Sequence, residues 1–444
     1  MSLITLQIGQ CGNQLGHSFF STIYEISNQK PNAANCNFLE ESQFRFFSDC
    51  EENTSKNYAR SILIDTEPKV IKEISSFGKD IAWSYRDDCH INVQQLGSGN
   101  NWAMGYHHHG PELQERVLNA VRKEAERCDT VLGFLLFSSV AGGTGSGFGS
   151  YISEVLRANY PSVSSANITV WPFQRGEVSV QAYNATLSLS SLQKSADAIF
   201  MFENDWLLKL CHHKMGLKKS ALNDLNTVAS QQLANVLLPV ERSQGIVPIF
   251  NDLLAHLVPH PQFKLVGLRS VPQEPLTSLP FSAYTWPGLL RSVRRMVLYN
   301  TKDLQILVSN IVYGQCSSSM NVANNSPVSL ANLLVLRGRD SEVADPELLH
   351  KPSLPYASWV PSALRLKMWI HSSPFLPYDR TAVLANNGQL SVSCVDVAVA
   401  KAWKLFSYKA YFHHYMQCGL SEEDFKLAVM NVEQIVASYK SLKA

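Results

Sequence analysis

Charge is scarce in this chain. Only 17% of its 444 residues are Asp, Glu, Lys or Arg, and they nearly cancel at a net charge of +1. No field of one sign is therefore available to draw the whole molecule onto nucleic acid or an acidic membrane. The nine cysteines are odd in number and include no CxxC pair, a pattern expected of reduced thiols in a cytosolic or nuclear setting. The opening "MSLITLQIGQCGNQ" lacks a basic stretch followed by a long apolar one, so no signal peptide is expected. Nor does any apolar run reach the roughly 20 residues that a spanning helix needs. Internal repeats and low-complexity tracts are missing too. What remains, 45% hydrophobic and 10% aromatic residues, suffices for a packed core, and the length implies two or three domains. The expectation is a soluble, intracellular, globular protein with neither nucleic acid nor membrane as partner.

In the first two hundred residues short apolar runs alternate with helical patterns. Strands are expected at Leu3–Ile8, Ser61–Asp65, Val131–Phe137, Ile168–Phe173 and Ala198–Phe202, with a helix at Pro111–Arg127. Such alternation predicts an α/β fold with a doubly wound parallel sheet. A helix from Asn223 to Val240 follows, broken at 243–248, and then a second region with strands at Phe263–Val271, Leu330–Arg337, Leu364–His371 and Thr381–Ala385. The last sixty residues read as helical, with Ser421 and Asp424 spaced like a capping box.

Ligands of doubly wound sheets sit outside the carboxyl ends of the strands. Five unusual segments fall there: "GQCGNQ" (Gly9–Gln14), "DTEP" (Asp65–Pro68), "GSGNNW" (Gly97–Trp102), "AGGTGSG" (Ala141–Gly147) and "FQRGEVSVQAYN" (Phe173–Asn184). In the fourth, Gly142, Gly143, Gly145 and Gly147 allow backbone N–H groups to approach an oxyanion, while Thr144 and Ser146 add hydroxyl donors. A phosphate-binding Walker loop would place Lys after Gly147, where Phe148 stands, and no start satisfies the dinucleotide glycine pattern. An oxidoreductase is accordingly remote. A tight strand-to-helix turn without ligand is the other reading of these letters taken alone. Asp65 and Glu67 beside a polyphosphate would repel it unless a hard cation intervened, which points to Mg2+ at Glu67; helix capping is their other role. Asn204 and Asn226 carry amides suited to the guanine edge, or to helix caps.

Read together, "GQCGNQ", "DTEP", "GNNWA", "AGGTGSG", "AYNATLS" and "LVPHP" resemble the tubulin family in order and spacing, over essentially the whole chain. The resemblance implies a GTP-binding domain (1–222), a core helix (223–242), an α/β intermediate domain (243–375) and a C-terminal helical region (376–444). By residue matching, it puts Gln10, Cys11 and Gln14 at the nucleotide. It puts Asn100, Ser139, Gly142, Gly143, Thr144 and Gly145 around the phosphates, Glu177 near the ribose, Glu67 at Mg2+, and Asn204 and Asn226 at guanine. It also matches Asp252, in "FNDLLAHLVPHP", to the acid that reaches the GTP of the next subunit along a filament. GTPase activity would then be completed in trans, although "ND" before "LLAHL" also reads as a plain helix start.

Several positions depart from the microtubule-building members. Ala141 replaces a glycine, Leu222 an aromatic that stacks on guanine, and Gln181 an acid near the ribose; Asp252 stands where Glu is usual, and the stretch 271–290 is atypical. The chain also closes on "NVEQIVASYKSLKA" without an acidic tail. These features, with "GEVSVQAYN" and "HLVPHPQFK", are similar to the delta branch of the family, which is associated with the cytoplasm and cytoskeleton at centrioles, basal bodies and cilia. The partners implied are other tubulins, either alpha and beta or specialised centriolar members. A structural capping or adaptor subunit that binds GTP and barely hydrolyses it is the competing expectation. His107, His108 and His109 lack ligand spacing and read as a solvated turn, not a zinc site. Cys11 has no apparent base beside it.

Overall fold

The computed structural model describes residues 1–28, 36–48, 56–77, 83–92, 97–176, 178–213, 216, 220–240, 249–274, 284–298, 326–349, 354–375 and 377–444. Glu177, the break at 243–248 and residues 275–283 of the atypical stretch lie outside these. The described residues fold into two compact units, Met1–Glu203 with Ser393–Ser438, and Asn204–Val392 with Tyr439–Ala444.

The first unit is built on six parallel strands. They are β1 (Ser2–Ile8), β4 (Ser61–Asp65), β6 (His90–Asn92), β7 (Val131–Ser139), β8 (Ser164–Trp171) and β9 (Ala198–Glu203), in the order β9-β8-β7-β1-β4-β6. The short strands β2 (Phe47–Ser48), β3 (Asn57–Ala59) and β5 (Trp83–Ser84) make a small separate sheet. Every residue of β1 is buried, as expected of a central strand covered on both faces. Its side chains alternate between those faces. Ile4, Leu6 and Ile8 join one apolar cluster with Val117 and Val121 of α4 (Gly110–Glu126) and Ile152 of α5 (Gly149–Asn159). Gln7 points the other way, against Gly16 of α1 (Gly9–Ser27). The sheet is thus wound on both sides, as the alternation predicts.

β8 begins four residues before the expected Ile168. Its polar letters Ser165, Asn167 and Thr169 are buried, and Asn167 Nδ2 donates to Ser153 Oγ at 3.1 Å while Thr169 Oγ1 donates to Phe200 O at 3.0 Å. Polar side chains with partners across the sheet can occupy a central strand, and apolar counting misses them. The next helix, α6 (Gln181–Ser195), is buried along most of its length by small residues, and Thr186 Oγ1 donates back to Ala182 O at 2.9 Å. The histidine run is helical, contrary to the expected turn. Residues 104–109 form a π-helical turn that leads straight into α4, with His107 and His108 exposed and His109 buried. Among the described residues no group of three His, Cys, Asp or Glu side chains gathers to hold a metal ion.

The second unit carries α7 (Asn204–His213), α8 (Leu222–Leu237), α9 (Ile249–Leu257), α10 (Trp286–Leu298) and a mixed sheet. Its strands β10 (Leu265–Val271), β11 (Ser329–Gly338), β12 (Leu366–His371) and β13 (Arg380–Gly388) run in the order β12-β11-β13-β10. β11 is parallel to β12, and β13 is antiparallel to both β11 and β10. α8 ends three residues before the expected Val240. Its last carbonyls are capped by the buried Arg337, which donates to Asn235 O, Leu238 O and Pro239 O at 2.8–3.1 Å. The C-terminal helices are Val392–Ser407, Phe412–Gln417 and Glu422–Lys440. Ser421 Oγ accepts the Asp424 N–H at 3.0 Å, so the cap expected there forms. No helix among the described residues is long and apolar enough to cross a membrane.

Candidate functional site: the loops at the switch point

From β1 the chain goes to β4 and β6 on one side of the sheet, and from β7 to β8 and β9 on the other. Between β1 and β7 the loops at the carboxyl ends therefore part, and this opens the crevice where doubly wound sheets bind ligands. The loop after β1 is the first turn of α1, and the loop after β7 is the glycine stretch. They touch. Gly9 has φ +73°, and a Cβ there would lie 2.9 Å from the Gly145 nitrogen. A third segment, 97–102, packs under the glycine stretch, so that a Cβ on Gly143 would come within 2.6 Å of Ser98 Cβ and 2.8 Å of the Asn101 nitrogen. Packing thus accounts for Gly9 and Gly143. Gly142 differs: it is half-buried, and a Cβ there would meet only Asn100 Oδ1, at 3.6 Å.

The hydroxyls converge on one atom. Thr144 Oγ1 lies 2.7 Å from Thr66 Oγ1 and 3.0 Å from Ser98 Oγ. Ser139 Oγ accepts the Ala141 N–H at 3.2 Å, which turns the chain at the end of β7, and Ser146 Oγ donates to Gly142 O. Among the predicted site residues, the loops bring together Ser139, Gly142, Gly143, Thr144, Gly145 and Asn100. Gln10, Cys11 and Gln14 lie on the first turns of α1, the first exposed and the other two half-buried. Burial pushes the Cys11 thiol up to about 12, so it is no thiolate nucleophile at neutral pH. Gln181 Nε2 donates to Phe173 O at 2.8 Å and closes the loop between β8 and α6.

The acidic pair divides its roles. Asp65 is buried, its Oδ1 accepts the Glu67 N–H at 3.2 Å ahead of α3 (Pro68–Phe77), and its Oδ2 has no partner. Burial first, and the Glu67 charge second, push its carboxyl up to about 6. Glu67 is exposed, with Oε1 against Gly97. Asp65 thus closes a turn just ahead of the helix. The Asp65 and Glu67 carboxylates and the Thr66 and Thr144 hydroxyls are oxygen donors, the ligand type that Mg2+ would take here together with water.

Sequence reasoning missed three residues here. Asn13 Nδ2 donates to Gly9 O and Ile64 O, both at 3.0 Å, and ties the first loop to the end of β4. Thr66 is only one letter of "DTEP" in the sequence, yet its hydroxyl meets that of Thr144. Asn184 is one letter of "FQRGEVSVQAYN" and "AYNATLS" in the sequence, yet its buried amide bonds to both the 97–102 and the 140–147 loops. Nothing in the isolated letters distinguishes a buried amide clamp from a surface asparagine.

The remaining predicted residues belong to the second unit. Asn204 opens α7 and Asn226 lies on α8, which packs against it. Leu222 is the first residue of α8 and is 60% exposed. Asp252 stands in the first turn of α9, and Lys367 Nζ on β12 donates to its Oδ1 at 2.6 Å. One turn on, His256 Nε2 lies 2.8 Å from Asn332 O, and burial lowers its pKa. The far end of α9 is held by Asn387, whose Nδ2 donates to Leu257 O and Phe263 O at 2.7 Å each, while its Oδ1 accepts the Tyr439 hydroxyl at 2.9 Å.

Residues 2–212 match the GTPase domain of the Tubulin/FtsZ family. The chain belongs to that family. Along their full lengths it is 38% identical to the tubulin delta chain of Homo sapiens and 39% identical to that of Mus musculus. It is 26% identical to the tubulin beta chain of Candida albicans, across 99% of this chain and 94% of that one. A Tubulin/FtsZ GTPase domain carries guanine-nucleotide binding with it.

Proposed function

We propose that the chain is a GTP-binding cytoskeletal protein of the delta-tubulin kind, acting in the assembly of centrioles, basal bodies and cilia with other tubulins as neighbours. One observation carries the nucleotide part: glycine-bearing loops from adjacent strands meet at the switch point around the Thr144 hydroxyl. In this reading Gly142–Gly145, Ser139 and Asn100 hold the phosphates, and Gln10, Cys11 and Gln14 line the nucleotide from α1. Asn204 and Asn226 read guanine, and Glu177 sits near the ribose. Mg2+, held through Glu67 and water, would neutralise phosphate charge. The full-length likeness to delta chains supports the placement in the cell.

Asp252 is the residue proposed to complete hydrolysis in trans, its carboxylate taking a proton from the water that attacks the γ-phosphate of the next subunit. A specific observation favours the second reading, a capping or adaptor subunit with little turnover. Asp is one methylene shorter than Glu, and here it is held by Lys367 at 2.6 Å. Phosphate release from GTP, measured with the chain alone and with each candidate tubulin in a co-sedimenting mixture, separates the two. Trans hydrolysis predicts turnover only in the assembled fraction, falling about a hundredfold or more in Asp252→Ala with GTP affinity unchanged. Equal turnover by Asp252→Ala and parent removes Asp252 from the chemistry, and no turnover in any mixture favours the capping role.

A further inference from the structure

Asn184 is the fourth residue of α6, and its side chain is fully buried. Nδ2 donates to Asn100 O at 2.8 Å and to Ala141 O at 2.6 Å. Oδ1 accepts the Trp102 N–H at 3.1 Å and the Tyr415 hydroxyl at 2.6 Å. A carboxamide offers two donors and a two-sided acceptor, so its capacity is filled. Aspartate cannot donate to the two carbonyls, and an aliphatic side chain would leave four groups unpaired, the buried Trp102 N–H and Tyr415 hydroxyl among them. Asn100, whose carbonyl is tied in this way, has φ +53°, a conformation uncommon for a residue with a side chain.

The fourth partner comes from far along the chain. Tyr415 lies on the helix Phe412–Gln417, is buried, and touches the ring of Tyr183 edge-on at 5.4 Å between centroids. The same region is tied twice more: Asn101 Nδ2 donates to His414 O at 3.0 Å, and the Tyr183 hydroxyl donates to Ala410 O at 3.1 Å. A satisfied buried polar network of this kind fixes geometry, because moving one member strands the others.

We infer that Asn184 is a positioning residue through which the helix Phe412–Gln417 sets the two loops that hold the nucleotide phosphates. This rests on the assignment of those loops to the phosphates given above. Tyr415 touches no nucleotide in this account, yet its hydroxyl holds the amide that holds Asn100 and Ala141. Loss of that hydroxyl frees one side of Oδ1, the amide loosens, and the loops lose part of their preorganisation.

The test uses the full chain and displacement of a fluorescent GTP analogue by GTP and by guanosine. Tyr415→Phe removes one hydroxyl and keeps the ring, so the fold is retained; GTP affinity should fall about fivefold, the worth of one hydrogen bond, with guanosine affinity unchanged. Asn184→Asp should weaken GTP further, by about tenfold or more, because both carbonyls lose their donor. A merely structural role would weaken GTP and guanosine alike, and that outcome overturns the proposal. Gly143→Val, which drives a side chain into Ser98, reports on the loops themselves. Parent-like GTP affinity in Tyr415→Phe with loss in Gly143→Val overturns the link to the C-terminal helix. Parent-like affinity in both overturns the loop assignment, and the link with it.

Discussion

The two units hold their polar chemistry in different materials. In the first, the site is mostly backbone: Gly9, Gly143 and Gly145 stand where loops meet at less than side-chain distance, and hydroxyls and amides finish the surface. In the second, long polar side chains carry it, bonding to one another and to backbone carbonyls. Lys367 grips Asp252, Arg337 caps α8, and Asn332, Asn386 and Asn387 lie buried in the sheet with their amides paired. Where loops meet this closely an added side chain forces the backbone to move, whereas trimming a side chain from a network leaves its partners unpaired with the backbone in place.

The sharpest way to break that comparison is Gly143→Val. With Ser98 Cβ 2.6 Å from the first added carbon, the loop has to move, and GTP affinity should fall beyond about a hundredfold in equilibrium binding. Asp252→Ala, by contrast, should leave that affinity alone. If the substitution in the second unit weakened GTP binding as much as the one in the first, the division of labour would fail.

A smaller effect concerns Asp65. Its carboxyl is pushed up to about 6 by burial, so the folded state binds the proton more tightly than the unfolded chain and the ionised form is penalised. In nucleotide-free protein Asp65→Asn should therefore be the more stable form above pH 6, by about 3 kcal/mol for a shift of some two units. That advantage shrinks between pH 6 and 4 and vanishes below, where both side chains are neutral. Urea midpoints at pH 8 and pH 4 check it; an advantage that grew on acidification would reverse the assigned cause.

The smallest effect tests the edge of the second unit. Leu222 is 60% exposed at the start of α8, where the resemblance implies a ring on guanine. Leu222→Tyr should tighten GTP binding about threefold to tenfold if a base lies over it, since aromatic stacking contributes roughly 0.5–1.5 kcal/mol. An unchanged affinity would put the base elsewhere.

What the sequence made legible follows the same divide. Parallel alternation, the strands β1, β4, β7 and β9, and the strand-end loops could all be read, because apolar period and glycine clusters are local signals. The start of β8 could not, since Ser165 and Asn167 look like loop letters until their partners across the sheet are known. Asn184 and Tyr415 escaped for a stronger reason: they meet across 231 positions of chain. His107–His109 are the opposite case: a polar run has the letters of a turn, although helix continues through it. The pairing of Asp252 with Lys367 likewise depends on β12 lying beside α9, which no spacing announces.

The central claim is that the loops at the switch point bind a guanine nucleotide. Competition of GTP and ATP for the purified full-length chain tests it most directly, using a fluorescent GTP analogue as probe. Adenine presents a donor where guanine has an acceptor and lacks the N2 donor, so the Asn204 and Asn226 amides proposed to read the base would be left unpaired, at roughly 1–3 kcal/mol for each mismatch. The account predicts that ATP displaces the probe only at concentrations about a hundredfold above those of GTP, and that Gly143→Val binds neither. Equal displacement by the two nucleotides, or full binding by Gly143→Val, would contradict it.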